Sequence, residues 1–180
     1  MILGAVAITF LGVLTVLNLI LTLAVVRRLR EHSDHLSRLL SSPGGVPWAS
    51  IIGSGERPRP FTATTVDGGE LTESSLTDGT IVAFFSPTCS ACHEWVPRFA
   101  EAAEAVPGRA IAVVVADSPE DGAGHVTSLR AVARVVVEEQ DGAVAKAFGV
   151  TGYPAMCRMA SDGTVATSDN DAVVTLPSLA

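Results

Sequence analysis

The chain of 180 residues carries 12 Lys and Arg against 19 Asp and Glu, a formal charge of −7, with 48% hydrophobic residues and three cysteines. Residues 59–180 hold seven basic and sixteen acidic side chains with one lysine, Lys146, a balance that argues against nucleic-acid binding. Three cysteines are too few for a disulfide scaffold and leave one pair plus an odd thiol.

Met1 to Val26 contains no charged side chain, and its only polar residues are Thr9, Thr15, Asn18 and Thr22. About 20 apolar residues span a bilayer, so residues 1–26 predict a transmembrane anchor in contact with lipid. The rival reading is a cleaved signal peptide. No Lys or Arg precedes the apolar run, however, and Arg27, Arg28 and Arg30 stand where cleavage would be expected. Residues 27–58 follow as a juxtamembrane helix and linker. Leu29, Leu36, Leu39 and Leu40 recur at roughly helical spacing, and Ser41-Ser42-Pro43-Gly44-Gly45 ends that pattern. Trp48 reads equally as a membrane-interface residue or as a cap on the edge of the next domain.

Residues 59–180 change character. Phe61–Thr65 and Glu70-Leu71 flank Asp67-Gly68-Gly69, a hairpin signal. Thr80–Phe85 is a continuous apolar run, of the kind buried on both faces of a sheet. Cys92–Val106 alternates as an amphipathic helix with Trp95, Val96, Phe99, Ala103 and Val106 inward. Ala110–Val115 is a second buried strand, 117–125 a loop and Val126–Ala133 a short helix. A strand over Arg134–Glu138, a helix over Ala143–Phe148 and a hairpin of Ala155–Ala160 with Thr164–Thr167 complete the series. The tail from Asp171 is short for a closing helix. The prediction is an α/β domain: a central mixed β-sheet flanked by helices, behind an N-terminal transmembrane helix.

Chemistry concentrates at Cys89-Ser90-Ala91-Cys92, directly after the run Ile81–Phe85. Cysteines at i and i+3 fit the first turn of a helix, where the partial positive charge of the N-terminus lowers the pKa of the first thiol. A thiolate at the end of a buried strand, with a second thiol one turn away, suits reversible thiol–disulfide exchange without a cofactor. His93 reads as a helix-surface residue that tunes Cys89, and His125 as a loop residue. Cys157 reads as a buried structural thiol.

A strand, CxxC at a helix start, Pro97 five residues after the second cysteine, and Gly152-Tyr153-Pro154 before a hairpin together resemble the thioredoxin fold. The order Phe61, Asp67-Gly68, Ser75-Leu76, Phe84-Phe85-Ser86-Pro87-Thr88-Cys89 resembles the membrane-tethered TlpA branch over residues 59–167. Ser86-Pro87-Thr88-Cys89-x-x-Cys92 is most similar to MauD-like proteins, which assist disulfide formation in methylamine dehydrogenase maturation. The resemblance implies that Cys89 is the nucleophile and Cys92 the resolving thiol. It implies that Pro97 kinks the helix and that Ser90 and Ala91 help set the redox potential. Pro154 would be cis, with the Tyr153 backbone beside the cysteines, placed to pair with an extended substrate. Partners would be protein disulfides or dithiols and a redox partner in or outside the membrane.

The chain departs from that pattern at Ala83, where many thioredoxins carry a buried acid, so proton transfer falls to water, Glu94 or His93. Other readings compete. Cys89–His93 also matches CxxCH, a c-type haem site, and structural zinc would need Cys157 and scattered histidines. Peroxiredoxins share the core but place Thr, not Ser86, three residues before the reactive cysteine. A tethered peptide-binding module without turnover is the non-enzymatic alternative. The arginines at 27–38 draw the domain to the cytoplasmic side by charge, whereas the tethered relatives carry it outside; the expectation follows the relatives.

Overall fold

The computed structural model describes Gly12 and residues 50–175. Gly12 apart, the anchor expected over residues 1–26, the helix after it and Trp48 lie outside these. Among the described residues no helix is long and apolar enough to cross a membrane.

Two strands, β1 (Thr62–Thr64) and β2 (Glu70–Thr72), form an antiparallel hairpin. The main chain then builds β3 (Ile81–Phe85), α1 (Cys92–Glu104), β4 (Ala110–Val115), α2 (Pro119–Leu129) and β5 (Arg134–Glu138). It closes with α3 (Ala143–Ala147), β6 (Ala155–Met159), β7 (Val165–Thr167) and α4 (Asn170–Val174). The five-stranded sheet runs β5-β4-β3-β6-β7. β3, β4 and β5 run parallel to one another, while β6 pairs antiparallel with β3 and β7 antiparallel with β6. This is the thioredoxin-like mixed sheet that the order of elements predicts.

Alternation along the strands splits the core into two layers. Val82, Phe84, Ile111, Val113, Val136 and Cys157 face one side, where they meet Phe61, Leu71, Val144 and Phe148. Ile81, Ala83, Phe85, Ala112, Val114 and Met156 face the other, where Cys92, Val96, Phe99, Leu129 and Val173 cover them. β3 and β4 are buried at every residue because they are central and covered on both faces.

Four expectations change. Residues 50–58 belong to the folded unit rather than to a linker: Ile51 is buried, Ile52 donates to the Phe148 carbonyl and Arg59 to that of Ala147. α2 begins at Pro119, not Val126, and ends at Leu129, so most of the expected loop is helical. Ser118 caps it through the Asp121 amide, Pro119 opens it, and Glu120 and Asp121 lie in its first turn. Gly122 lets α2 lie close on the sheet there, because an added Cβ would sit 3.0 Å from Val114 Cγ1 and 3.5 Å from Ala116 Cβ. On α1, Trp95 is only half-buried, under the Arg98 guanidinium 4.1 Å from its ring centroid, and Ala102 takes the inward position instead. The tail does supply a closing helix: α4 buries Val173 completely against the sheet.

Phe148 stands fully buried between Phe84, at 5.4 Å between ring centroids, and Phe61, at 6.0 Å. Phe148→Ala is expected to cost about 3–5 kcal/mol by cavity formation. Val66→Ala, at the exposed hairpin, should stay within about 0.5 kcal/mol. Denaturant titration followed by circular dichroism measures both, and equal effects would refute this account of the core.

Candidate active site

The loop after β3 brings the cysteine pair to the carboxyl end of the sheet. Cys89 N–H donates to the Ser86 carbonyl at 3.1 Å, and Cys92 N–H donates to the Cys89 carbonyl at 3.1 Å. These two turns wind directly into α1. No side chain caps the helix, and the amides of Ala91 and Cys92 at its start help lower the Cys89 thiol. Ser86 and Thr88 bond each other through their hydroxyls at 3.0 Å and stiffen the approach. α1 runs unbroken through Pro97, which has no N–H to give the His93 carbonyl.

The two thiols differ in exposure and in acidity. Cys89 is half-buried and Cys92 fully buried; neither is disulfide-bonded. Cys89 is lowered to about 6, first by the hydrogen bond from the Cys92 thiol, then by the Cys92 and Ala91 amides and the nearby His93 charge. Burial opposes that shift. Cys92 moves upward, chiefly because its proton is held on Cys89, and further because it is buried. One sulfur is therefore a nucleophile near neutral pH and its neighbour keeps its proton.

Tyr153–Pro154 is a cis peptide bond, and the Tyr153 carbonyl accepts from Cys89 Sγ at 3.3 Å. The structure thus brings Cys89, Cys92, Tyr153 and Pro154 together. Ser90 and Ala91 are exposed between the sulfurs, and His93 is exposed on the next turn. A cleft of about 390 Å³ opens beside Cys89, walled by Ser86, Pro87, Thr88, Asp117, Gln140 and Tyr153. It lies at the carboxyl ends of the parallel strands, where α/β folds hold ligands.

Cys157 lies elsewhere. It pairs across strands with Val82, faces the layer opposite Cys92, and is fully buried, which raises its pKa. Among the described residues, no three His, Cys, Asp or Glu side chains converge as metal ligands. Ala83 is fully buried beneath the site with no ionisable group.

Three residues at the site escaped the sequence. Asn170, opening α4, donates to the Pro154 carbonyl at 3.1 Å. Glu138 accepts from the Val144 and Ala145 amides at 3.0 and 2.8 Å, tying the end of β5 to α3, and burial raises its pKa. His125 is buried on α2 rather than lying in a loop. Only His125 had a legible signal, the Ser118-Pro119 helix start that sets its face.

The AhpC/TSA family profile matches residues 55–168. No curated protein sequence matches the chain. Among solved structures, the thioredoxin domain of a thiol-disulfide oxidoreductase from Bacteroides vulgatus superposes with a TM-score of 0.56 at 16% identity, covering 66% of this chain and 89% of that one. A thiol:disulfide interchange protein from Bacteroides sp. gives 0.55 at 15% identity, covering 70% and 88%. The pneumococcal exposed lipoprotein thioredoxin from Streptococcus pneumoniae gives 0.52 at 21%, covering 64% and 96%. At these identities the likeness establishes the fold.

Alkylation of the reduced chain by iodoacetamide is expected at Cys89 with a midpoint near pH 6, slowing as pH falls below it. Cys92 and Cys157 should react only on unfolding. Cys92→Ala removes the leading donor and should raise the midpoint by about one unit. Peptide mapping across a pH series tests this, and an unmoved midpoint would remove Cys92 as the cause.

Proposed function

The chain belongs to the AhpC/TSA family, and on that premise we propose that it is a membrane-tethered thiol–disulfide oxidoreductase acting on protein substrates through Cys89 and Cys92. The observation that carries the reading is the unequal pair: an accessible sulfur lowered to about 6, bonded to a buried sulfur that keeps its proton.

In the reducing direction, the Cys89 thiolate attacks one sulfur of a substrate disulfide. A Cys89–substrate S–S bond forms, and the second substrate sulfur leaves as a thiolate that takes a proton. Cys92 then gives up its proton and attacks Cys89 Sγ. The Cys89–Cys92 disulfide forms and the first substrate sulfur departs, so two electrons pass from the pair to the substrate. Oxidation of a substrate dithiol is the same sequence reversed. The cleft beside Cys89 receives the polypeptide around the reacting sulfur, with the backbone at Tyr153–Pro154 as its edge. Ser90 and Ala91 tune the potential between the sulfurs, and a separate redox partner resets the pair.

The TlpA/MauD-like affinity rests on the Ser86-Pro87-Thr88-Cys89 approach and the apolar run before Arg27. On this reading, residues 1–26 hold the chain in the cell membrane as a single span, with the redox domain outside the cytoplasm. Peroxide reduction by Cys89 is the competing activity within the same family. The unequal pair favours disulfide exchange, because a second thiol that keeps its proton stands one turn from the attacking sulfur, ready to resolve the mixed disulfide.

The purified chain is expected to catalyse dithiothreitol-driven reduction of insulin disulfides. Cys89→Ala should abolish turnover, and Cys92→Ala should trap a covalent adduct with substrate, visible by non-reducing electrophoresis. Undiminished turnover in Cys89→Ala, or faster consumption of hydrogen peroxide than of insulin disulfides, would overturn the proposal.

A further inference from the structure

His125 is 8% exposed, on the face of α2 that covers the sheet. Its Nε2 is buried with no hydrogen-bond partner among the described residues. Its ring stands edge-to-face against Phe85, with centroids 6.4 Å apart, and against His93, with centroids 5.6 Å apart. His93 follows Cys92 directly, and its charge helps lower Cys89. The cysteine pair thus has an imidazole at its rim whose only aromatic neighbour among the described residues is a second, buried imidazole.

We propose that His125 is a positioning residue for the cysteine pair: its buried ring holds the His93 imidazole over the first turn of α1, where a positive charge on it favours the Cys89 thiolate. The proposal rests on the reading of Cys89 as the attacking sulfur.

Two imidazoles this close cannot both ionise without repulsion. Burial against Phe85 disfavours a charge on His125, and the His93 charge disfavours it again. An exposed side chain on its own would swing freely and lose most of its field to water. The ring contact holds it instead, at a separation usual for aromatic pairs.

Glu120 on α2 and Glu94, Glu101 and Glu104 on α1 are exposed to solvent, and the other charged groups around α2 are engaged elsewhere. β4 carries no titratable side chain. On β5, Arg134 donates to the Glu70 carbonyl, and Glu138 accepts from the α3 amides. On α2, Asp121 accepts from the Ser118 hydroxyl, and on α1 Arg98 pairs with Asp171. His93 is the one charge that reaches His125 appreciably among the described residues.

The test is the pH profile of Cys89 alkylation in the reduced full-length chain, for wild type, His93→Gln, His125→Ala, His125→Phe and the double variant His93→Gln/His125→Ala. His125→Ala should slow alkylation about threefold at pH 5 and not at all above about pH 8, following the charge on His93. His125→Phe keeps the ring contact and should restore the wild-type profile, which a merely destabilised core would not do. In the His93→Gln background, His125→Ala should add nothing. Should His125→Ala fail to fold, proton NMR decides instead: His125 must titrate below the ordinary imidazole range, and His93→Gln must raise its midpoint. Unchanged alkylation in His125→Ala, additive effects in the double variant, or a His125 midpoint unmoved by His93→Gln would each overturn the proposal. A wild-type Cys89 that does not ionise near pH 6 would overturn the underlying reading instead.

Discussion

The Cys89 sulfur sits where the Cys92 thiol and the amides of Ala91 and Cys92 converge, at the uncapped start of α1. That convergence is the constraint on which the reactive end of the molecule depends. No Ser, Thr, Asp or Asn side chain caps this helix start, and the partial positive charge of its first turn lies beside the sulfur and favours its anion. The same bonds that make Cys89 acidic make Cys92 reluctant to ionise, so one interaction sets both roles.

The geometry holds because the strand that delivers the loop cannot move. β3 is central in the sheet and buried at all five positions, flanked by β4 on one side and β6 on the other. β6 in turn carries the cis Tyr153–Pro154 bond at its entry, and its register with β3 fixes where the Tyr153 carbonyl meets Cys89. α4 completes the frame: Asn170 holds the Pro154 carbonyl, and Val173 fills the layer under α1. Sheet faces also sort the thiols. Cys92 and Cys157 are both fully buried, yet they lie on opposite sides of the sheet, so only one can serve Cys89.

Strands were legible wherever burial was complete on both faces, as in Ile81–Phe85 and Ala110–Val115, because continuous apolar runs with β-branched residues have few other uses. Both hairpins were legible through Asp67-Gly68-Gly69 and Ser161-Asp162-Gly163, where Gly68 and Gly163 adopt the positive φ the turns need. The start of α2 was missed because Gly122 and Gly124 weaken helix propensity. Only the sheet beneath explains Gly122, since a side chain there would crowd Val114. Ile51 was missed for a related reason: the Pro, Gly and Ser around it describe a linker by composition, and its burial depends on Phe148 and its neighbours, a hundred residues away.

By itself, the chain determined the order of elements, the position of the cysteine pair at a helix start and the burial of the central strands. Those features follow from spacing and apolar periodicity, which act over a few residues. Tertiary structure alone decided which side chains surround the pair: Tyr153 and Asn170 from the far end of the domain, His125 from α2, and the exclusion of Cys157. Those contacts join residues up to 64 positions apart, and no local pattern carries them; strand register and the packing of α2 and α4 on the sheet do.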